Sequence, residues 1–249
     1  MKQYFSIFAL SARSTLFKLI GIIVLMSIAE IIMFYMAIKE NSYGVLLEDL
    51  MDDSLVIIPF AIGFILYYIT LAQNFNGKHA TKAAMTTARL GIKESGVCWT
   101  MAVYNMAMLV VFLAAQLAIV LILCKMYLDS HLAGDYQHTV FIAFYRNGMM
   151  HGLLPLEDYW TYVENAFYIF GLGICASYAS KNDRHGKHEA ITGLAAGMVA
   201  LAFCNRENYY IGLDHSIVLI PITIYAAICI SKGGTLDEDE EETASPNLA

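Results

Sequence analysis

One carboxylate lies well inside an apolar stretch of this chain: Glu30, set between Ile28-Ala29 and Ile31-Ile32. An ionised acid at bilayer depth costs a few kcal/mol, so such a group faces protein or water rather than lipid. Two readings stand for Glu30. It serves a proton or cation relay or a substrate path, or it is a protonated or hydrogen-bonded acid that holds helices together. A relay needs several ionisable groups in register, and the further candidates are Glu164 and His215. Gln116 and Asn105 are amides within another apolar run. Amides of this kind usually bond across helices for about 1 kcal/mol or less.

The remaining chemistry-bearing residues form no defined site. Asp129, His131, Asp135 and His138 lack the tight spacing of a zinc site, as do His185 and His188, and both groups read as solvated loop. The five cysteines (Cys98, Cys124, Cys175, Cys204, Cys229) form no CxxC pair and lie in or beside apolar blocks, where cysteine behaves as a small hydrophobe. No GxxxxGK[ST], HExxH or GxSxG occurs, and no basic patch interleaves with aromatics. The chain therefore reads as a non-enzyme, with no catalytic residues, metal, cofactor or nucleic-acid partner.

The elements that would carry these residues are membrane helices. Of 249 residues 58% are hydrophobic and 15% charged, against about 25% charged in soluble domains. The mean hydropathy is +0.56. The apolar residues fall in long blocks, at about 16–38, 54–75, 99–123, 162–180, 189–204 and 213–230. A run of about 20 apolar residues is long enough to cross a bilayer. The expectation is an all-α polytopic bundle of six transmembrane helices over residues 1–232, followed by an acidic tail at 233–249 that includes Asp237 to Glu242. Such a run of like charges reads as a solvated, disordered end. Ser27-Ile28-Ala29 resembles a signal cleavage site, but the apolar run resumes at Ile31, so it reads as a retained anchor.

Lys and Arg accumulate in cytoplasmic loops. Lys2, Arg13, Lys18, Lys78, Lys82, Arg89, Lys93, Lys181, Arg184, Lys187 and Lys232 fall on one side, against Lys39, Lys125, Arg146 and Arg206 on the other. That places both termini in the cytoplasm of a multi-pass cell-membrane protein. Trp99, Tyr159, Trp160, Tyr162, Tyr209 and Tyr210 mark span edges. Pro59 and Pro221 lie inside the second and sixth spans, where each can kink its helix. Gly193 and Gly197 form a GxxxG in the fifth span, and Gly173 and Ser177 repeat the pattern in the fourth. Small residues let backbones approach closely in lipid, so these two spans are expected to pack together.

Three further segments look built for contact. In 1–15, Tyr4, Phe5, Ile7 and Phe8 share a helical face, which suggests an amphipathic helix on the inner leaflet, in contact with membrane lipids. The apolar stretch 139–145 is too short to cross and reads as an outer interfacial or re-entrant helix. The connection 77–96 carries Ala, Met and four positive charges, with Gly91 as a helix stop, and reads either as a cytoplasmic docking element or as an ordinary positive-inside loop.

Six spans, both ends inside, an amphipathic N-terminal helix and a helical loop between spans two and three resemble the type 2 ABC exporter permeases. The stretch Thr87-Ala-Arg89-Leu90-Gly91-Ile92 is similar to an R-L-G-I/V-S turn of permease-like membrane proteins of Firmicutes, and Arg146 through Pro155 is similar to their outer segment. The resemblance implies a substrate-moving subunit powered by a separate cytoplasmic ATP-binding chain. That chain would dock at Arg89, Leu90, Gly91, Ile92 and Lys93. A second permease subunit is also compatible with the family. In that family the outer re-entrant helices lie between spans five and six, whereas here the outer elaboration lies between three and four. A non-transporting membrane partner (assembly, immunity or sensing) and a secondary carrier are the alternative readings.

Overall fold

A computed structural model of the chain describes residues 2–41, 44–74, 93–130, 139–156, 159–184, 197, 199 and 209–232. It is helical, with no strand among the described residues. Among the described residues eight helices follow one another: α1 (Lys2–Glu40), α2 (Leu47–Asp53), α3 (Ile57–Ala72), α4 (Glu94–Leu128), α5 (Thr139–Arg146), α6 (Gly148–Leu153), α7 (Tyr159–Arg184) and α8 (Tyr209–Lys232).

Among the described residues two helices, α1 and α4, are long and apolar enough to cross a membrane, and α2 with α3 make a third if that bent pair is one span. This is the membrane character the apolar blocks imply. The first of these helices differs from expectation in one respect. The N-terminal segment and the first span form one unbroken helix of 39 residues, about 58 Å at 1.5 Å per residue. No proline interrupts 2–40, and Gly21 alone is tolerated in a helix interior. Of the expected fifth span, 189–204, all but residues 197 and 199 lie outside the described residues, as does the tail at 233–249.

The apolar block expected as a second span, 54–75, meets a break at its start. α2 and α3 meet at 62°, with Leu55 between them at φ +52°. The cause is Pro59. In a continuous helix its nitrogen would bond the Leu55 carbonyl, but proline has no N–H and its ring collides with the carbonyl four residues earlier. The chain instead ends α2 at Ser54, whose N–H donates to Leu50 O at 3.0 Å, and restarts with Ile58 N–H donating to Leu55 O at 3.0 Å. The break therefore sits four residues before the proline, which itself occupies the first turn of α3.

α4 is the hub. Its buried residues recur every three or four positions: Cys98, Ala102, Asn105, Leu109, Phe112, Gln116, Val120 and Leu123. That is one helical face. Val103, Val110, Val111, Leu121 and Ile122 are exposed on the other, an apolar surface suited to lipid. α4 packs on α1 and α7, α3 on α1 and α7, and α8 on α7. The centre is aromatic. The Phe112 ring lies 4.7 Å from Tyr67, 5.6 Å from Phe64 and 6.1 Å from Phe60 by centroid. Tyr67 Oη also donates to Met108 O at 2.8 Å.

α7 reaches α4 through small residues. A Cβ on Gly173 would stand 2.5 Å from Met106 Cγ and 3.2 Å from Ala102 O. One turn on, Ser177 Oγ donates to Cys98 O at 2.6 Å. The small-residue stripe of α7, expected in a fourth span, is thus used against α4.

Candidate functional site

Glu30 is buried completely, on the face of α1 that meets α4. Gln116 Nε2 donates to both carboxylate oxygens, at 2.9 Å to Oε2 and 3.1 Å to Oε1. The pairing follows from helix geometry. Met26, Glu30 and Phe34 stack on one side of α1, while Phe112, Gln116 and Val120 do so on α4. Gln116 Oε1 is buried without a hydrogen-bond partner. The acid and the amide form one polar contact inside an apolar bundle. Glu164 is not brought to it: half-buried on α7, it accepts from Tyr168 Oη at 3.1 Å, one turn along its own helix.

A second polar region joins the N-terminal parts of α1 and α4 to the C-terminal ends of α3 and α7. Ser14 Oγ donates to Asn74 Oδ1 at 2.8 Å, and Ser180 Oγ donates to Asn74 O at 2.6 Å. Thr15 Oγ1 and Tyr104 Oη are 2.7 Å apart and share a hydrogen bond. Asn74 follows directly on α3 and is 2% exposed. Its Nδ2, together with Ser11 Oγ, is buried without a partner. Lys181, read from the sequence as a loop charge beyond the fourth span, is instead a buried residue of α7, because that helix continues to Arg184.

At the opposite ends, a cap is built from α2, α5 and α6. Arg146 pairs with Glu48 at 3.0 Å, and Asn147 Nδ2 donates to Asp52 Oδ1 at 2.8 Å. Asn147 Oδ1 accepts from Met150 N at 3.1 Å and so caps α6. Tyr127 Oη donates to Val45 O at 2.9 Å, which ties α4 to the α1–α2 turn. α5 buries Ala143 and Phe144 and exposes Phe141, Ile142 and Tyr145.

Of the residues expected to engage an ATPase, Arg89, Leu90, Gly91 and Ile92 lie outside the described residues. Lys93 is exposed and extended, and its carbonyl starts α4 by accepting from Gly96 N at 2.9 Å and Val97 N at 3.3 Å. Gly193 also lies outside, and a Cβ on Gly197 would meet nothing within 4 Å among the described residues. No group of three His, Cys, Asp or Glu among the described residues could hold a metal ion. Sequence reasoning missed the layer around Asn74. The 4-residue spacing of Ser11 and Thr15 was its one visible trace.

Comparison with protein-family models, with known proteins and with solved structures finds nothing that matches this chain.

Proposed function

We propose that the chain is the membrane-spanning permease subunit of an ABC-type exporter, with six spans and both termini in the cytoplasm. A separate ATPase would supply the energy and dock on the connection 77–96. The observation that supports this reading is how the two roots of that connection are anchored. Asn74, which precedes it, is held by Ser14 of α1 and by Ser180 of α7. Lys93, near its end, begins α4. A push on such a connection reaches α1, α3, α4 and α7 together, which is what an external motor needs.

A second reading is a non-transporting membrane partner. The aromatic packing of Phe60, Phe64, Tyr67 and Phe112 favours it, because it fills the centre where a path would run. Co-purification separates the two. Replacing Arg89, Leu90 and Ile92 together should release the ATP-binding chain without unfolding the bundle, since truncated interface anchors typically cost about 2 kcal/mol or more. Deleting 237–249 should leave the complex intact. The reverse pattern refutes the docking assignment, and the absence of any ATP-binding partner favours the second reading.

A further inference from the structure

We infer that the α7–α8 junction holds a phosphate-bearing anion, the headgroup of an anionic phospholipid, on Lys181 and Asn182. Lys181 is 9% exposed and Asn182 8%. The Lys181 ammonium carries three N–H donors. Its one hydrogen bond among the described residues is long, 3.4 Å from Nζ to Cys229 O in the last turns of α8. No carboxylate among the described residues lies within ion-pair distance of it. Asn182 Nδ2 is buried, with the Tyr178 hydroxyl of the preceding turn as its one weak partner among the described residues.

Both groups are donors, and both turn toward α8. Tyr178 and Asn182 are four residues apart and share a face of α7. The Tyr178 ring meets Tyr225 of α8 edge-on at 6.0 Å. Lys181 reaches the Cys229 carbonyl of the same helix. The carbonyl end of α8 offsets part of the ammonium's desolvation, but N–H groups on Lys181, and the second N–H of Asn182 beyond the one near Tyr178, find no acceptor among the described residues. A buried cation with spare donors and no counter-charge among the described residues calls for an anion. Several oxygens on one phosphate can accept from both side chains at once.

A lipid fits better than a free ion, because apolar surface adjoins the site. Ile224, Tyr225 and Ile228 are exposed on α8, within two turns of Cys229, where acyl chains could lie. Basic pockets between membrane helices on the cytoplasmic side are a known class of anionic-headgroup site. The inference needs α7 and α8 to lie in a membrane and is independent of transport.

The test uses the full chain in nanodiscs of phosphatidylcholine, with or without phosphatidylglycerol, and reads lipid retained on release together with thermal stability. Wild type should retain phosphatidylglycerol and be stabilised by it. Lys181→Gln should lose at least about tenfold of that preference, as expected when one member of a buried charge pair is removed. Lys181→Arg should keep most of it, and Lys232→Gln, at an exposed position of the last turn, should match wild type. If Lys181→Gln does not fold, Asn182→Ala, which leaves the charge in place, should still weaken retention. Equal retention by wild type, Lys181→Gln and Asn182→Ala overturns the site. Equal stabilisation by inorganic phosphate in phosphatidylcholine discs overturns the lipid assignment. So does a preference for phosphatidylglycerol that appears only after 237–249 is deleted, because the acidic tail is then the occupant.

Discussion

Replacing Gln116 by leucine removes both donors to Glu30, at 2.9 and 3.1 Å, with little change in side-chain volume. Hydrogen bonds between membrane helices average about 0.6 kcal/mol and reach about 1.7 kcal/mol. Bonds to a charged group in proteins are worth about 1.5–3 kcal/mol. Glu30 is fully buried and held through both oxygens, so its bond belongs near the top of the membrane range. Gln116 Oε1 works against this, since it is buried without a partner and its removal restores a desolvation cost. A double-mutant cycle cancels that contribution. Gln116→Leu leaves the acid without its amide, Glu30→Leu leaves the amide without its acid, and the double variant removes both. The expected coupling is about 1–2 kcal/mol, with the double variant less destabilised than the sum of the singles. Thermal unfolding in one fixed detergent reads it, at about 2–4 °C per kcal/mol for a chain of this size. Additivity within about 0.5 kcal/mol would show that the two side chains do not stabilise one another, and the reasoning from burial and distance would fail.

Leu55→Gly should raise stability by about 1 kcal/mol, because a left-handed backbone penalises an L side chain by about that much; an unchanged melting temperature would contradict the φ of +52°. Gly173→Ala should destabilise by about 1–3 kcal/mol, since its Cβ meets α4 backbone as well as Met106, whereas Gly197→Ala should be neutral. Arg146→Ala should cost less than about 1 kcal/mol because the arginine is 65% exposed, while Asn147→Ala should cost about 1–2 kcal/mol through its lost cap and its lost bond to Asp52. Chemical denaturation of the five variants in one detergent ranks them.

Among the described residues, helices were legible wherever apolar residues ran long, and the short apolar stretch 139–145 does form α5. The proline in the second span announced a disturbance, but its place could be read only through the clash with the carbonyl of Leu55. Partners were less legible. Glu30 is conspicuous because one acid in an apolar run is rare, yet nothing in its own helix points to Gln116. Ser14, Asn74 and Ser180 are each unremarkable alone and acquire meaning only once α1, α3 and α7 are neighbours. Lys181 looked like a loop charge because hydropathy falls at 181, whereas the backbone stays helical to Arg184. The small-residue spacing in the fourth span was visible, but its partner depends on which helix lies beside it, and that helix is α4.

The reading as a permease subunit is tested most directly by ATP hydrolysis in material purified on the full chain from its own membrane. The account predicts a stoichiometric ATP-binding chain in the eluate and hydrolysis that elutes with it. Both should be lost when Arg89, Leu90 and Ile92 are replaced, with the bundle's melting temperature unchanged. A folded chain that elutes from gently solubilised membranes with neither an ATP-binding partner nor hydrolysis would contradict it.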